Sequence, residues 1–215
     1  MKTNLNLKQI ESKIGKLSNP SKMPAYSWGI PASRCITGSK LVKQKRTVCS
    51  GCYALTNCYV FPVVKQAYEN RYQAIHLKEW VDYMVQLLTI KYKKLDKSRL
   101  FHRWFDSGDL QSVEHLQKIL EVCKQTPHIK HWIATRESPF LAQIKESDVP
   151  SNVVIRLSAT KIDGKPPKSW SLTSTVHRDS TPTGHSCPSL QQDGECRDCR
   201  ACWNKEIKNV SYKEH

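Results

Sequence analysis

The chain predicts an α/β fold: a parallel sheet of β/α repeats wound as a partial barrel, followed by a cysteine-rich, metal-bound C-terminal tail. Three observations predict it. Strand-like runs alternate with helical segments between residues 100 and 157, which implies right-handed crossovers and parallel pairing. Each run is followed at once by polar or charged residues, as at the carboxyl edge of a parallel sheet. Eight of the nine cysteines fall into two groups, one before the repeats and one after them.

Residues 1–25 read as a mobile or loosely docked arm, with Ser18-Asn19-Pro20-Ser21 as a break. Tyr26 to Pro31 predicts a short strand that delivers the chain to a cysteine loop over 35–58. From Phe61 to about Leu95, Val64, Ala67, Tyr68, Tyr72, Ile75, Trp80, Met84, Leu87 and Leu88 recur at helical spacing. Two helices with a bend between His76 and Glu79 are expected. Leu100 to Phe105 predicts an aromatic-rich strand and Asp106-Ser107-Gly108-Asp109 a turn. Ser112 is placed to cap a helix with Val113, Leu116, Ile119, Leu120 and Cys123 on its apolar face, and Thr126-Pro127 ends it. His131 to Thr135 and Val153 to Leu157 are further strands, separated by a short helix from Pro139 to about Lys145. The core then spans 26–160, and 161–215 is expected to be a loop-rich cysteine segment packed upon it.

At 215 residues the chain is sized for one substantial core. No apolar stretch is long enough to cross a bilayer, so no membrane partner is expected. Met1 to Pro20 is polar and lysine-rich with no apolar h-region, which predicts a cytoplasmic protein with reduced thiols. The net charge of +15 attracts polyanions, making nucleic acid or an anionic substrate the expected partner class, with a merely solvated basic surface as the alternative. Composition does not set the oligomeric state.

Cys187-Pro188 with Cys196-x2-Cys199-x2-Cys202 has the ingredients of a [4Fe-4S] site, in which closely spaced thiolates each reach a different iron. Structural zinc more often takes its ligands as two separated pairs, and disulfides do not suit a reducing compartment. Cys35, Cys49, Cys52 and Cys58 have the less diagnostic spacing C-x13-C-x2-C-x5-C, which suits a second cluster or a zinc and leaves the role of Cys58 open. Cys123 reads as a buried small hydrophobe.

Parallel strands aim their carboxyl ends at one edge, so Asp106, Ser107 and Asp109, then Thr135, Arg136 and Glu137, then Ser158 and Thr160 are expected to converge there. Asp106 and Asp109 are the groups to orient a cationic or hydroxylated ligand. Arg136 is the group to bind a carboxylate or phosphate.

Cys49-Ser50-Gly51-Cys52-Tyr53-Ala54, the segment from Arg103 to Asp109, Thr135-Arg136 and the tail from Cys187-Pro188 to Cys202-Trp203 together resemble a cysteine-rich bacteriophage family, the gene product eighty-eight type. That resemblance implies a phage or prophage source and the cytoplasm of an infected bacterium; it implies no particular activity. A looser likeness is to radical SAM enzymes, which have a partial β/α barrel with a cluster loop after the first strand. It implies Cys35, Cys49 and Cys52 as ligands of a cluster with one open iron, S-adenosylmethionine on that iron, and Ser107-Gly108-Asp109 as the turn holding its amino group. Thirteen residues separate Cys35 from Cys49 where that family has three. The expected function is thus a phage-type [4Fe-4S] protein, a radical-SAM-like or redox enzyme with its site at the carboxyl edge of the sheet. The alternative is a metal-stabilised nucleic-acid-binding protein without catalysis.

Overall fold

Short apolar runs alternating with amphipathic helices fold, in the computed structural model describing residues 5–214, into α1 (Leu7–Ile14), β1 (Ser27–Trp28), α2 (Ile36–Leu41), α3 (Pro62–Ala74), α4 (Trp80–Tyr92), β2 (Phe101–Trp104), α5 (Val113–Gln125), β3 (Lys130–Thr135), α6 (Ser138–Leu141), β4 (Val153–Ile162), β5 (Thr173–His177), β6 (His185–Ser186) and β7 (Asn209–Lys213). The strands form one seven-stranded sheet in the order β1-β2-β3-β4-β5-β7-β6, and every neighbouring pair is parallel. The sheet is open, with β1 and β6 as its edges.

The predicted helices and the first four strands are present. Ser112 caps α5 by accepting the His115 amide at 3.0 Å. The bend between α3 and α4 falls at residues 75–79. Side chains of His102, Trp104, His131 and Ile133 face α4 and α5, where Trp28 and Trp80 complete a buried aromatic core. The opposite face, carrying Phe101, Arg103, Trp132 and Arg156, is covered by the C-terminal tail. There Trp203 stacks edge-on against Trp132 and Phe101, with ring centroids 5.2 and 5.4 Å away.

Two expectations need correction. Residues 1–4 of the predicted arm lie outside the described residues, but α1 is docked: Asn6 and Gln9 form a reciprocal capping box, Ile10 and Ile14 are wholly buried, and Glu11 pairs with Lys91 of α4 at 2.8 Å. Residues 161–215, expected to be loop-rich, contain three strands, and β4 runs on to Ile162. β5 reads as a polar loop because Thr173, Ser174, Thr175 and His177 are all buried in it. Their polar groups are satisfied sideways along the sheet: Thr173 donates to Asn209 at 2.8 Å, Ser158 meets Ser174 at 2.9 Å, and Ser211 meets Thr175 at 3.1 Å and His177 at 2.8 Å. Cross-strand hydroxyl pairs of this kind replace apolar alternation.

Candidate functional site

The carboxyl ends of β1, β2 and β3 meet because two glycines let their loops touch. Ile30 donates its amide to the Ser107 carbonyl at 3.0 Å. A Cβ at Gly29 would collide with the Asp106 carboxylate and lie 2.5 Å from the Ser107 carbonyl oxygen; one at Gly108, whose φ is +78°, would lie 2.6 Å from the Ile30 carbonyl oxygen. Phe105 also takes a positive φ of 63°, an uncommon and strained conformation for a bulky side chain. It turns the chain sharply into Asp106. Gly29→Ala is therefore expected to destabilise the protein by about 3 kcal/mol, read from urea unfolding. Gly51→Ala, where a Cβ meets nothing within 4 Å, should stay within about 0.5 kcal/mol of the parent.

Asp106, Ser107 and Asp109 are all buried and have different surroundings. Asp109 is fully engaged: Oδ1 accepts the Thr135 hydroxyl at 2.6 Å and the Leu110 amide at 2.8 Å, and Oδ2 accepts the Arg136 amide at 2.8 Å. Burial raises its pKa to about 6 against the pull of those three donors. Asp109 thus joins the end of β2 to the end of β3. Asp106 accepts the Tyr68 hydroxyl on Oδ2 at 2.7 Å, while its Oδ1 and the Ser107 hydroxyl are buried without a partner. Ser107 borders a cleft of about 520 Å³ between the sheet edge and α3, walled by Tyr59, Tyr68 and Leu55. The open hydrogen-bonding capacity of the turn therefore belongs to Asp106 and Ser107. The end of β4 lies beside this edge, where Arg136 Nε reaches the Ala159 carbonyl at 3.4 Å and Thr47 bridges to Lys161.

The cysteine loop sits over this edge. Glu137, buried just past β3, accepts the Thr37 amide and hydroxyl on separate oxygens, each at 2.8 Å. That fixes the start of α2 and, immediately before it, Cys35. Cys35, Cys49 and Cys52 lie within electrostatic reach of one another. Burial pushes the Cys35 thiol pKa up, and Asp109, Cys52, Cys49 and Glu137 push it further. Burial also raises that of Cys49, opposed by Arg136. Gly38 packs closely against two of these cysteines, since a Cβ there would stand 2.9 Å from Cys35 Cβ, 3.5 Å from Cys35 Sγ and 3.7 Å from Cys49 Sγ. Cys58 is exposed. All nine cysteines are free thiols, and Cys123 is buried on α5.

The tail cysteines form a second neighbourhood. Cys187 follows β6 and donates its amide to Ser211 at 2.8 Å; Cys199 Sγ lies 3.7 Å from His185 Nε2, and Cys202 Sγ 3.1 Å from the Tyr212 hydroxyl. Burial, then Cys187 and Cys199, raise the pKa of Cys196; burial brings Cys202 to about 12 against its bond with Tyr212. The four predicted tail residues are thus brought together. Among the described residues, no three His, Cys, Asp or Glu side chains are arranged around a single ion position. A lone zinc needs every sulfur about 2.3 Å from one point, whereas a cubane spreads its thiolates over separate irons. The free thiols of each group are donors of the kind either site would use.

Sequence reasoning passed over several residues. Arg103 on β2 joins the two neighbourhoods, donating to the Tyr53 hydroxyl at 3.3 Å while its charge opposes the raised pKa of Cys196. Tyr53 in turn donates to the Asp106 carbonyl at 2.7 Å. Tyr53 stands next to Cys52 and Arg103 three residues before Asp106, so proximity to named motifs was the available signal. Arg156 and Tyr68 carried no such signal.

Among the described residues no helix is long and apolar enough to cross a membrane. No curated protein and no solved structure matches the chain. A family model described as Gene product 88 matches residues 2–205 and includes both cysteine groups and the Asp106 to Asp109 turn. With nearly its whole length matched, the chain belongs to the Gene product 88 family.

Proposed function

We propose that the protein is an iron–sulfur protein of radical-SAM-like type, with one [4Fe-4S] cluster on Cys187, Cys196, Cys199 and Cys202 and a second on Cys35, Cys49 and Cys52. The observation that carries this reading is the gathering of Cys35, Cys49 and Cys52 over buried Asp109 and Glu137 and half-buried Arg136 at the carboxyl edge of a parallel sheet. Ligand sites of open parallel folds lie at that edge. A bound cluster would supply one-electron chemistry and, at an iron without a protein ligand, a Lewis-acid position for S-adenosylmethionine.

The chain's own residues do the positioning. Glu137 holds α2 and so Cys35, Gly38 lets the α2 backbone pack closely on Cys35 and Cys49, and the positive charge of Arg136 favours the Cys49 thiolate. Asp109 is occupied as a clamp between strands, so the ligand-facing role passes to the free Asp106 oxygen and the Ser107 hydroxyl. Those two atoms suit an amino or hydroxyl group of a ligand in the adjoining cleft. Cys187, Cys196, Cys199 and Cys202 would supply four thiolates to a cluster in the tail, which would leave it no open iron and suit it to a structural or electron-relaying role.

Protein purified without oxygen should contain iron and inorganic sulfide and absorb broadly near about 400 nm. Replacing Cys35, Cys49 and Cys52 together by serine should remove about half the iron, and so should replacing the four tail cysteines. Adding S-adenosylmethionine to the reduced protein should change its EPR signal, and Ser107→Ala should weaken that response. Stoichiometric zinc with no sulfide in the anaerobic protein overturns the reading.

A further inference from the structure

From Ser12 to Tyr68 the chain contains no aspartate or glutamate, yet it carries Lys13, Lys16, Lys22, Arg34, Lys40, Lys43, Lys45, Arg46 and Lys65. The cysteine loop lies within this stretch, and Lys40, Lys43, Lys45 and Arg46 are all exposed on it. The Thr47 bridge to Lys161 brings another exposed cation alongside. Near these cations three of the carboxylates are already committed, while Asp106 keeps one free oxygen at the floor of the cleft. Glu137 is bound to Thr37, Asp109 to Thr135 and the amides of Leu110 and Arg136, and Glu69, which borders the cleft, pairs with Arg34 at 2.8 Å.

The same loop exposes apolar and aromatic side chains that a solvated basic surface does not need. Tyr53, Leu55, Val60, Phe61 and Val63 are 41–76% exposed, and Leu55 and Val60 form the lip of the cleft. Behind them Tyr53, Tyr59 and Tyr68 form a file of rings with centroids 5.8 and 5.6 Å apart, leading inward to Asp106. At the end of the cleft Ser107, only 4% exposed, has a hydroxyl with no partner in the protein. Charges outside, aromatic rings at the mouth and unsatisfied polar atoms at the floor are the elements of a single-strand nucleic-acid site. A duplex hides its base faces from the rings. A lipid surface would cover the exposed apolar groups but has no use for a concave cleft with polar atoms at its floor.

We propose that this face binds single-stranded nucleic acid, with phosphates along Lys40 to Arg46 and one unstacked base between the lip residues and the Ser107 end of the cleft. The binding depends only on this surface; the iron–sulfur reading bears solely on what is then done to the base, which makes a nucleic-acid strand the substrate class of the site.

The test uses anaerobically purified full-length protein of measured iron content and three probes: a labelled oligothymidylate, a duplex of equal length, and phosphatidylglycerol vesicles. The single strand should bind at least about tenfold more tightly than the duplex, and its affinity should fall with salt at a log–log slope near about −3, as for four or so phosphates. Phe61→Ala should weaken single-strand binding about tenfold with the slope unchanged. Lys43→Glu with Lys45→Glu should weaken binding and flatten the slope. Both changes lie at exposed positions, and thermal melting will confirm that the variants are folded. Equal binding of duplex and single strand, tighter binding to vesicles, or an unaltered affinity in Phe61→Ala overturns the proposal. Because iron is measured on the same preparation, strand binding without iron sinks the cluster reading alone, and iron without strand binding sinks this one alone.

Discussion

Arg156→Met is expected to cost about 4 kcal/mol or more and to free the segment from Ala201 to Lys208. Arg156 lies in the middle of β4 with no solvent exposure. Its guanidinium meets no carboxylate and donates instead to main-chain carbonyls: Nε to Cys202 at 3.2 Å, Nη1 to Thr173 at 3.2 Å and Ile207 at 2.9 Å, Nη2 to Ala201 and Asn204 at 2.9 Å each. Five N–H groups in a rigid fork can serve five acceptors at once, which no other side chain can do. Methionine fills similar volume but leaves those carbonyls buried without donors, at about 1–3 kcal/mol for each group not reached by water. Trypsin should then cut at Lys205 or Lys208 in the folded variant long before the parent is cut, and the urea midpoint should fall. Arg156→Lys, with one nitrogen in place of three, should lie between the two. Equal midpoints for parent and Arg156→Met would show that the tail is held by something other than this fork.

That residue also marks where reading the sequence runs out. Val153 to Leu157 is recognisable as a strand, but nothing local ties its arginine to carbonyls some fifty positions later. α3 to α6 and β2 to β4 were legible because their apolar spacing and caps are local signals, Ser112 among them. β5 and β7 were not, because their buried Thr, Ser and Asn side chains satisfy one another across strands, and a sequence shows the polarity without the pairing. α1 carried legible marks, the Asn6-x-x-Gln9 box and the Ile10–Ile14 spacing, outweighed by the lysines around them. At the candidate site, convergence of the polar residues after β2 and β3 followed from parallel topology, whereas β4 runs on to Ile162, so Ser158 and Thr160 lie within it and Ser158 pairs with Ser174 instead. The division of labour between Asp109, clamped by three donors, and Asp106, left with a free oxygen, depends on which loop packs where.

Acidification from pH 7 to about 4.5 is expected to remove on the order of 5 kcal/mol of stability, a large share of what a domain of this size has. The cause is the aromatic core between the sheet and α4 and α5. His102, His115 and His131 are all buried there among Trp28, Trp80, Trp104 and Tyr92. Burial brings the pKa of His115 and His131 down to about 3 and that of His102 well below its usual 6.5. Between those values and the unfolded pKa of 6.5 the unfolded chain binds protons that the folded chain refuses. The stabilisation is therefore present above pH 6.5 and is lost as pH falls, by about 1.4 kcal/mol per pH unit for each histidine. Asp109 works in the opposite sense: its pKa is raised to about 6, so its contribution is complete below the unfolded value of 3.8 and is lost as pH rises through 6. One aspartate offsets part of what three histidines do. Urea midpoints followed by circular dichroism should drop steadily from pH 6.5 downwards. His115 separates this cause from acid damage to the metal sites, because neither of its ring nitrogens has a partner and it packs edge-on against Trp28, Trp80 and Phe105. Phenylalanine in its place keeps the packing and has nothing to protonate. His115→Phe should match the parent within about 1 kcal/mol at pH 7.5 and, with Asp109 still offsetting one histidine, lose stability about half as steeply in acid; an unchanged acid slope would mean that this core is not what fails.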